Sequence, residues 1–173
     1  PLSCIHFTQE ILPFAGKEAA RQRKITLTLT GACQRVDGAE KLLEEILFNL
    51  CDNAIKYNKE GGRVEVSVTR EAQWVVLTVQ DTGIGIPSGE TDRVFERFYR
   101  VDKSHSKEIG GTGLGLSIVS SRGYHDAKVH IDSQLGRGTR VQVRFHPSGR
   151  GSHEPAPLSR GGESFGPPPG GGV

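Results

Sequence analysis

Two pairs of alternating runs constrain the fold of this chain more than any other feature of its sequence. Apolar residues occupy every second position of each run or fill it almost continuously, and only a short connection separates the members of a pair. A period of two puts alternate side chains on one face of a β-sheet, and short connections join such runs as hairpins. The runs cover residues 63–70, 73–80, 128–133 and 139–145. The pattern therefore predicts two β-hairpins. The apolar face of the sheet that they form must be covered by another layer of secondary structure.

Amphipathic helices are predicted to supply that layer. Residues 39–57 place apolar side chains at helical spacing, residues 8–23 do so more weakly, and residues 117–127 predict a third helix. A further strand is predicted over residues 25–30, where alternation ends at Gly31. The stripe of the long helix consists of Leu42, Leu43, Ile46, Leu47, Leu50 and Ala54. The predicted fold class is α+β, a two-layer sandwich in which about three helices cover one face of a mixed, mostly antiparallel sheet.

Composition divides the chain into one domain, residues 1–146, and a tail, residues 147–173. The tail holds most of the nine prolines and many of the glycines, so it buries too little apolar surface to offset its ordering entropy. We therefore expect the tail to be disordered. The net charge of +2 gives no indication of nucleic-acid binding, and no apolar run reaches the roughly 20 residues that cross a bilayer. Three widely spaced cysteines favour reduced thiols and a cytoplasmic location.

The long predicted helix carries a polar face beside its apolar stripe. At 100° per residue, Asn49, Asp52, Asn53 and Lys56 fall within one arc. Asparagine is a poor helix former, so both asparagines lower helix stability unless their side chains have a use. Mg²⁺ prefers oxygen ligands and takes few from the protein when it also binds phosphates. This face is compatible with a site in which both asparagines bind Mg²⁺, Lys56 contacts a phosphate and Tyr57 lies against a base, although the helix alone does not distinguish such a site from ordinary solvation. A solvated helix face is the alternative.

A glycine-containing loop follows directly after the strand predicted for residues 73–80. Gly83 and Gly85 permit a close backbone approach to a ligand, and Asp81 stands at the end of the strand. A buried carboxylate there can accept a hydrogen bond from the exocyclic amine of adenine, which separates adenine from a base with a keto group. Together with Ile86, this loop is therefore assigned to nucleotide binding. The Asp-Thr-Gly sequence also occurs in ordinary turns and in aspartic proteases, so alone it leaves those alternatives open.

A second glycine-rich segment has the features of a phosphate-binding loop. Alternate glycines leave backbone N–H groups free to converge on anionic oxygens, and the helix predicted after them adds the positive end of its dipole. The segment lacks the Gly-Lys-Ser/Thr end of a Walker A motif and the βαβ unit around a Rossmann fingerprint. The residues assigned to nucleotide binding here are Gly111, Thr112, Gly113, Leu114, Gly115 and Leu116.

The polar stretch between the two loops has the length of a flexible lid. Arg97, Arg100 and Lys103 are its candidate cations for a γ-phosphate. A basic surface loop is the alternative for each of them.

These segments, in this order, resemble the motifs of the sensor histidine kinases. Residues 49–57 are similar to the N-box, 81–85 to the first glycine box, 95–99 to the F-box and 111–115 to the second glycine box. The resemblance covers about residues 3–146. It implies the Bergerat-type ATP-binding fold, with ATP and Mg²⁺ as ligands.

The resemblance also implies roles for individual residues. The asparagines at positions 49 and 53 are similar to the family's magnesium ligands, and Lys56 to its phosphate-contacting lysine. Tyr57 is similar to the aromatic that stacks on the base, and Asp81 to the carboxylate that accepts from adenine. Arg100 resembles the lid arginine that reaches the γ-phosphate, which assigns Lys56 and Arg100 to catalysis.

The phosphate acceptor of such a kinase is a histidine in an H-box on a dimerisation domain. None of the chain's six histidines stands in an H-box pattern, so we expect the acceptor on a separate module and a response regulator as the further partner. The predicted third helix departs from the family pattern, because it is about one residue shorter than usual and contains Gly123. A nucleotide-binding regulatory module without kinase activity is one alternative. A self-contained ATPase of the same fold is the other, and the F-box argues against it.

Overall fold

The computed structural model describes residues 2–5, 16–31, 34–37, 40–95 and 127–147. Within these ranges it contains two α-helices, seven strands and one turn of 3-10 helix at Arg93–Phe95. The helices are α1 (Lys17–Gln22) and α2 (Glu40–Lys56). The strands are β1 (Leu2–Ile5), β2 (Thr26–Gly31), β3 (Gln34–Asp37), β4 (Arg63–Glu71), β5 (Trp74–Asp81), β6 (Lys128–Gln134) and β7 (Gly138–Phe145).

Five of the strands form one sheet in the order β2, β4, β5, β7, β6. Both predicted hairpins are present: β4 pairs antiparallel with β5, where Val66 lies opposite Val79, and β6 pairs antiparallel with β7. The two hairpins meet where β5 pairs antiparallel with β7. At the edge, β2 pairs in parallel with β4, so that Leu27 lies opposite Val64. The predicted mixed, mostly antiparallel sheet is confirmed.

The sequence does not predict the second, two-stranded sheet. In it β1 pairs antiparallel with β3, where Cys4 lies opposite Arg35. A four-residue strand is too short to show a period, and Val36 is the only apolar residue of β3. Val36 is fully buried and also forms a backbone bridge with Pro147, so this strand exists because distant parts of the chain meet there.

The core lies between α2 and one face of the five-stranded sheet. Most of the predicted stripe of α2 is buried, and Cys51 and Ile55 widen it toward the C-terminal end of the helix. Burial raises the pKa of the Cys51 thiol to about 12, so this free cysteine stays neutral and packs as a small apolar side chain. Ala20 of α1 belongs to the same core cluster. Both described helices therefore cover the same face of the sheet, as the two-layer prediction requires.

Parts of the predicted architecture lie outside the described residues. Of the helix predicted over residues 8–23, the structure describes α1 and its flanking turns. The third helix, predicted over 117–127, lies in the undescribed range 96–126 except for its last residue, Ala127, which is not helical. No described helix combines the length and the apolar character needed to cross a membrane.

Candidate functional site

The polar face of α2 is half-buried in the folded domain. Asn49, Asp52, Asn53 and Lys56 are all partly covered, as is Tyr57, which follows the helix. The Asn49 side chain donates from Nδ2 to the carbonyl oxygen of Glu45 at 2.8 Å, which leaves its Oδ1 as the atom for a further partner. The Asn53 amide has no hydrogen-bond partner among the described residues. A half-buried amide inside a helix that bonds to none of the described residues fits the donor set that Mg²⁺ uses beside phosphate oxygens.

Lys56 already has a carboxylate partner on its own helix. Its Nζ lies 2.6 Å from Oδ2 of Asp52 one turn earlier, and about a third of each side chain is exposed. Such i, i+4 pairs are worth only a few tenths of a kcal/mol at the surface, about 0.3–0.5. The Lys56 ammonium can therefore exchange Asp52 for a doubly charged phosphate at little cost in free energy. Without a phosphate, the ion pair with Asp52 keeps the ammonium on the polar face of α2.

The end of α2 is joined to the loop that follows β5. The backbone N–H of Ile84 donates to the carbonyl oxygen of Tyr57 at 3.0 Å. Asn58, 3% exposed, donates from Nδ2 to the Arg63 carbonyl at 3.0 Å, and its Oδ1 accepts from the Thr82 hydroxyl at 3.4 Å. The loop carrying the aspartate and glycines is therefore bonded to the residues just beyond the polar face of α2.

The sequence gives no indication that Asn58 has a structural role. An asparagine just after a helix and before Lys59-Glu60-Gly61-Gly62 looks like an ordinary helix end. The burial of Asn58 and its bonds to β4 and to the loop depend on how β4 and β5 pair in the sheet. No local sequence pattern therefore distinguishes this residue.

Asp81 is anchored through one of its two carboxylate oxygens. Its Oδ1 accepts from the backbone N–H of Gly83 at 2.8 Å and from that of Thr139 at 3.3 Å. Its Oδ2 has no hydrogen-bond partner among the described residues. Burial raises the pKa of the Asp81 carboxyl, and the two backbone N–H groups oppose that rise because they favour the charged form. The arrangement presents one oriented, poorly solvated acceptor.

Protein contacts account for the glycines of this loop. A Cβ on Gly83 would lie 2.3 Å from the carbonyl oxygen of Tyr57, and one on Gly85 would lie 2.1 Å from that of Gln134. Gly85 also has a φ of 70°. At the far end of the loop, the N–H of Ile86 donates to the Ser133 hydroxyl at 2.8 Å. The loop is thus held between the end of α2 and the β6–β7 hairpin, and Ser133 is a second supporting residue that the sequence did not reveal.

Gly138 lies against the backbone of Asp81, which suggests a direct test. A Cβ there would lie 2.0 Å from the Asp81 carbonyl oxygen, whereas one on Gly136 would meet no heavy atom within 4 Å. Both glycines have positive φ, 121° and 79°. We expect Gly136→Ala to lower the free energy of unfolding by about 1 kcal/mol through strain alone, and Gly138→Ala by a further 1–3 kcal/mol, approximately, through the clash. Urea denaturation of both variants measures the difference, and equal losses would contradict the contact.

The structure brings together most of the first two predicted motifs. Asn49, Asn53, Lys56 and Tyr57 lie along α2 and its end, and Asp81, Gly83, Gly85 and Ile86 lie on the loop bonded to that end. The remaining assigned residues fall in the undescribed range 96–126. They are Arg97, Arg100, Lys103, Gly111, Thr112, Gly113, Leu114, Gly115 and Leu116.

Comparison with known families gives one match over most of the folded chain. The family model described as histidine kinase-, DNA gyrase B- and HSP90-like ATPase matches residues 38–149. Sensor histidine kinase RppB of Synechocystis sp. is 44% identical over 109 residues, which are 62% of this chain and 24% of that protein. Phosphate regulon sensor protein PhoR of Pseudomonas aeruginosa is 39% identical over 131 residues, which are 75% of this chain and 29% of that protein. The chain thus spans less than a third of each of these relatives.

Solved structures share the fold. A mycobacterial sensor histidine kinase, MprB, superposes with a TM-score of 0.70 at 27% identity, covering 85% of this chain and 98% of that one. The nucleotide-free catalytic domain of histidine kinase ThkA superposes with a TM-score of 0.68 over 85% of this chain and 96% of that one. At 20% identity the ThkA likeness concerns the fold alone.

Proposed function

Because the chain belongs to the histidine kinase-, DNA gyrase B- and HSP90-like ATPase family, we propose that its site binds ATP with Mg²⁺ and donates the γ-phosphate to a histidine on a separate module. Its relatives RppB and PhoR are named as sensor proteins, RppB as a histidine kinase. In this proposal the domain is the catalytic part of a two-component signalling kinase. A response regulator receives the phosphate from the histidine.

The observation that carries the proposal is that α2 and the loop after β5, which are joined by a backbone hydrogen bond, each carry a hydrogen-bond acceptor that no described residue uses. Asn53 has an amide without a partner among the described residues, and Asp81 has a free carboxylate oxygen there. The backbone bond from Ile84 to Tyr57 ties the loop of Asp81 to α2 one turn after Asn53. A nucleotide has a base with an exocyclic donor at one end and Mg²⁺-bound phosphates at the other. The two acceptors match those two ends.

The residues of the chain act chiefly by positioning in this proposal. Asp81 accepts from the adenine amine, and Tyr57 lies against the base. Asn49 and Asn53 would hold Mg²⁺, and the ion would supply positive charge beside the phosphate oxygens. Lys56 exchanges Asp52 for a phosphate oxygen. Phosphoryl transfer needs little covalent work from the protein, so oriented phosphates and nearby cations supply much of the catalysis.

The remaining assigned residues complete the proposal. Arg100 contacts the γ-phosphate from the lid, and the backbone N–H groups of residues 111–116 bind phosphate oxygens. We propose a cytoplasmic location for the domain, within a kinase anchored in the membrane by other parts, because cytoplasmic ATP is its substrate. Residues 147–173 are proposed to form a tail, whose first residue, Pro147, is attached to the domain by its backbone bridge with Val36.

Two measurements on the whole chain test the proposal. Titration calorimetry is expected to show that ATP binds in the presence of Mg²⁺ and more weakly when EDTA removes the metal. With γ-labelled ATP and a purified dimerisation domain from a homologous kinase, label is expected on the histidine of that domain, in an acid-labile and base-stable form.

The outcomes separate the two parts of the proposal. Transfer that an alanine at the acceptor histidine eliminates supports kinase activity. Binding without transfer to any of several dimerisation domains favours a regulatory nucleotide-binding module. Absence of ATP binding in a folded sample contradicts the proposal as a whole.

A further inference from the structure

Arg23, just after α1, contacts the C-terminal end of α2 across 32 to 35 positions of sequence. Its Nη1 donates to the carbonyl oxygen of Ile55 at 2.8 Å and to that of Lys56, and its Nη2 donates to that of Asn58 at 2.8 Å. All three bonds are partly buried. One guanidinium therefore collects three carbonyl oxygens from the segment that carries Lys56 and Tyr57.

The carbonyls of Ile55 and Lys56 belong to the last turn of α2, and that of Asn58 lies just beyond the helix. The Ile55 carbonyl also accepts from the backbone N–H of Asn58 at 3.3 Å. The last four C=O groups of an α-helix have no intrahelical donor, and together they carry the negative end of the helix dipole. A cation that donates several hydrogen bonds satisfies both needs. The planar guanidinium can reach three oxygens at once, whereas an ammonium concentrates its donors at one point.

Arg23 is itself held rigidly by the backbone. Its carbonyl oxygen accepts from the N–H of Gly61 at 3.2 Å, and the N–H of Ile25 donates back to Ala20 at 2.8 Å. The next residue, Lys24, has a φ of 57°, which is uncommon for a residue with a side chain. The turn after α1 is thus fixed on the α2–β4 connection, and the guanidinium extends from a defined point.

We infer that Arg23 is a positioning residue of the nucleotide site, which holds the last turn of α2 so that Lys56, Tyr57 and the Asp81 loop keep their relative places. The contacts run in one series. Arg23 binds the carbonyls of residues 55, 56 and 58, the Tyr57 carbonyl accepts from Ile84, and the Asn58 side chain bonds to Thr82. The inference rests on the proposed function, since it assigns Arg23 to the same site without a contact to nucleotide.

The test compares three variants of the whole chain. Arg23→Gln removes the charge and most of the donors, and Arg23→Lys keeps the charge. Lys24→Gln is the matched control, because it also removes one positive charge from this turn but breaks only the exposed ion pair of Lys24 with Glu60 at 2.8 Å. Hydrogen exchange is measured without nucleotide at the amides of Tyr57 and Ile84, and across β5 and β7. Calorimetry then gives the dissociation constant for ATP.

We expect Arg23→Gln to speed exchange at the Tyr57 and Ile84 amides about tenfold and to weaken ATP binding by a similar factor, since hydrogen bonds from a charged donor are lost. Exchange within β5 and β7 should stay as in the wild type. Arg23→Lys should recover part of both losses, and Lys24→Gln should match the wild type.

Two results would overturn the inference. One is unchanged exchange at both amides. The other is a uniform loss of protection over the whole sheet with unaltered ATP affinity, which is the sign of a purely structural residue. A wild-type chain that binds no ATP would contradict the proposed function instead, and the exchange pattern would then decide alone whether Arg23 holds the loop.

Discussion

Replacement of Asn53 by alanine is expected to abolish magnesium-dependent ATP binding while it stabilises the nucleotide-free domain. The amide of Asn53 makes no hydrogen bond to any described residue, so its loss leaves no described partner unsatisfied. Alanine is the better helix former, and the free energy of unfolding should rise by about 0.5 kcal/mol. The affinity for ATP with Mg²⁺ should fall by about 100-fold or more, because a metal ligand is removed. Urea denaturation and titration calorimetry measure the two effects.

Asn53→Ala is expected to raise the free energy of unfolding and to lower the affinity for ATP, and this combination makes the prediction specific. A general disturbance of the domain would lower stability and affinity together. Asn58→Ala is the contrasting variant, since Asn58 is buried and bonded to β4 and the loop, and it should lose stability. Glu44→Ala, at an exposed position of α2, should change neither quantity by much. Unchanged ATP affinity in Asn53→Ala would remove Asn53 from the metal site.

Asp81→Asn is expected to weaken ATP binding and to shift the preference between ATP and GTP. The N–H groups of Gly83 and Thr139 both point to Oδ1, so the amide oxygen of the variant takes that place and its NH₂ takes the place of Oδ2. A donor then faces the adenine amine, and a carbonyl on the base becomes the better partner. Loss of a charged hydrogen bond corresponds to an ATP affinity about 10- to 100-fold lower.

Competition between ATP and GTP measures the shift directly. Asp132→Asn is the control, because it makes the same chemical change at an exposed position of β6. The ratio of the two affinities should move in Asp81→Asn alone. An ATP preference that stays unaltered in that variant would rule out Asp81 as the residue that reads the base.

The same variant isolates a pH dependence of stability. Burial raises the folded-state pKa of Asp81 above its ordinary value of 3.8, so the folded chain binds this proton more tightly than the unfolded chain. By linkage, the contribution of Asp81 to the free energy of unfolding falls as the pH rises from about 3.8 through the raised pKa. Above the raised pKa this contribution is fully lost. The free energy of unfolding of the wild type minus that of Asp81→Asn should follow this course. A rise over that range would contradict the sign of the shift.

The sequence anticipated the features that periodicity reports. Alternation predicted the two hairpins, and the stripe along residues 39–57 predicted α2, because a buried face selects apolar side chains at the spacing of the element that carries it. The Asp-Thr-Gly loop was predictable as a loop for a related reason, since only glycine tolerates the close contacts at positions 83 and 85. The short strands β1 and β3 carry no period, and they were missed.

For the candidate site, too, the sequence predicts some features and does not indicate others. The side chains that are proposed to bind a nucleotide can be predicted from the sequence by their chemistry, as with the asparagines on one helix face and the aspartate at a strand end. Within the described part of the chain, the sequence could not show that Asn53 and one Asp81 oxygen lack hydrogen-bond partners. Nor could it show the ion pair of Lys56 or the bond between the end of α2 and the loop. These features depend on which groups the folded chain has already satisfied.

By itself, then, the sequence determined α2, the two hairpins and the fold class, and it predicted the side chains that are proposed to bind ATP and Mg²⁺. Only the tertiary structure decided which residues hold those side chains in place. Arg23, Asn58 and Ser133 have no pattern of their own, since an arginine after a helix or a serine in a strand is common at any surface. Their roles come from partners brought to them by strand pairing and helix packing, and those contacts join residues that are far apart in the chain.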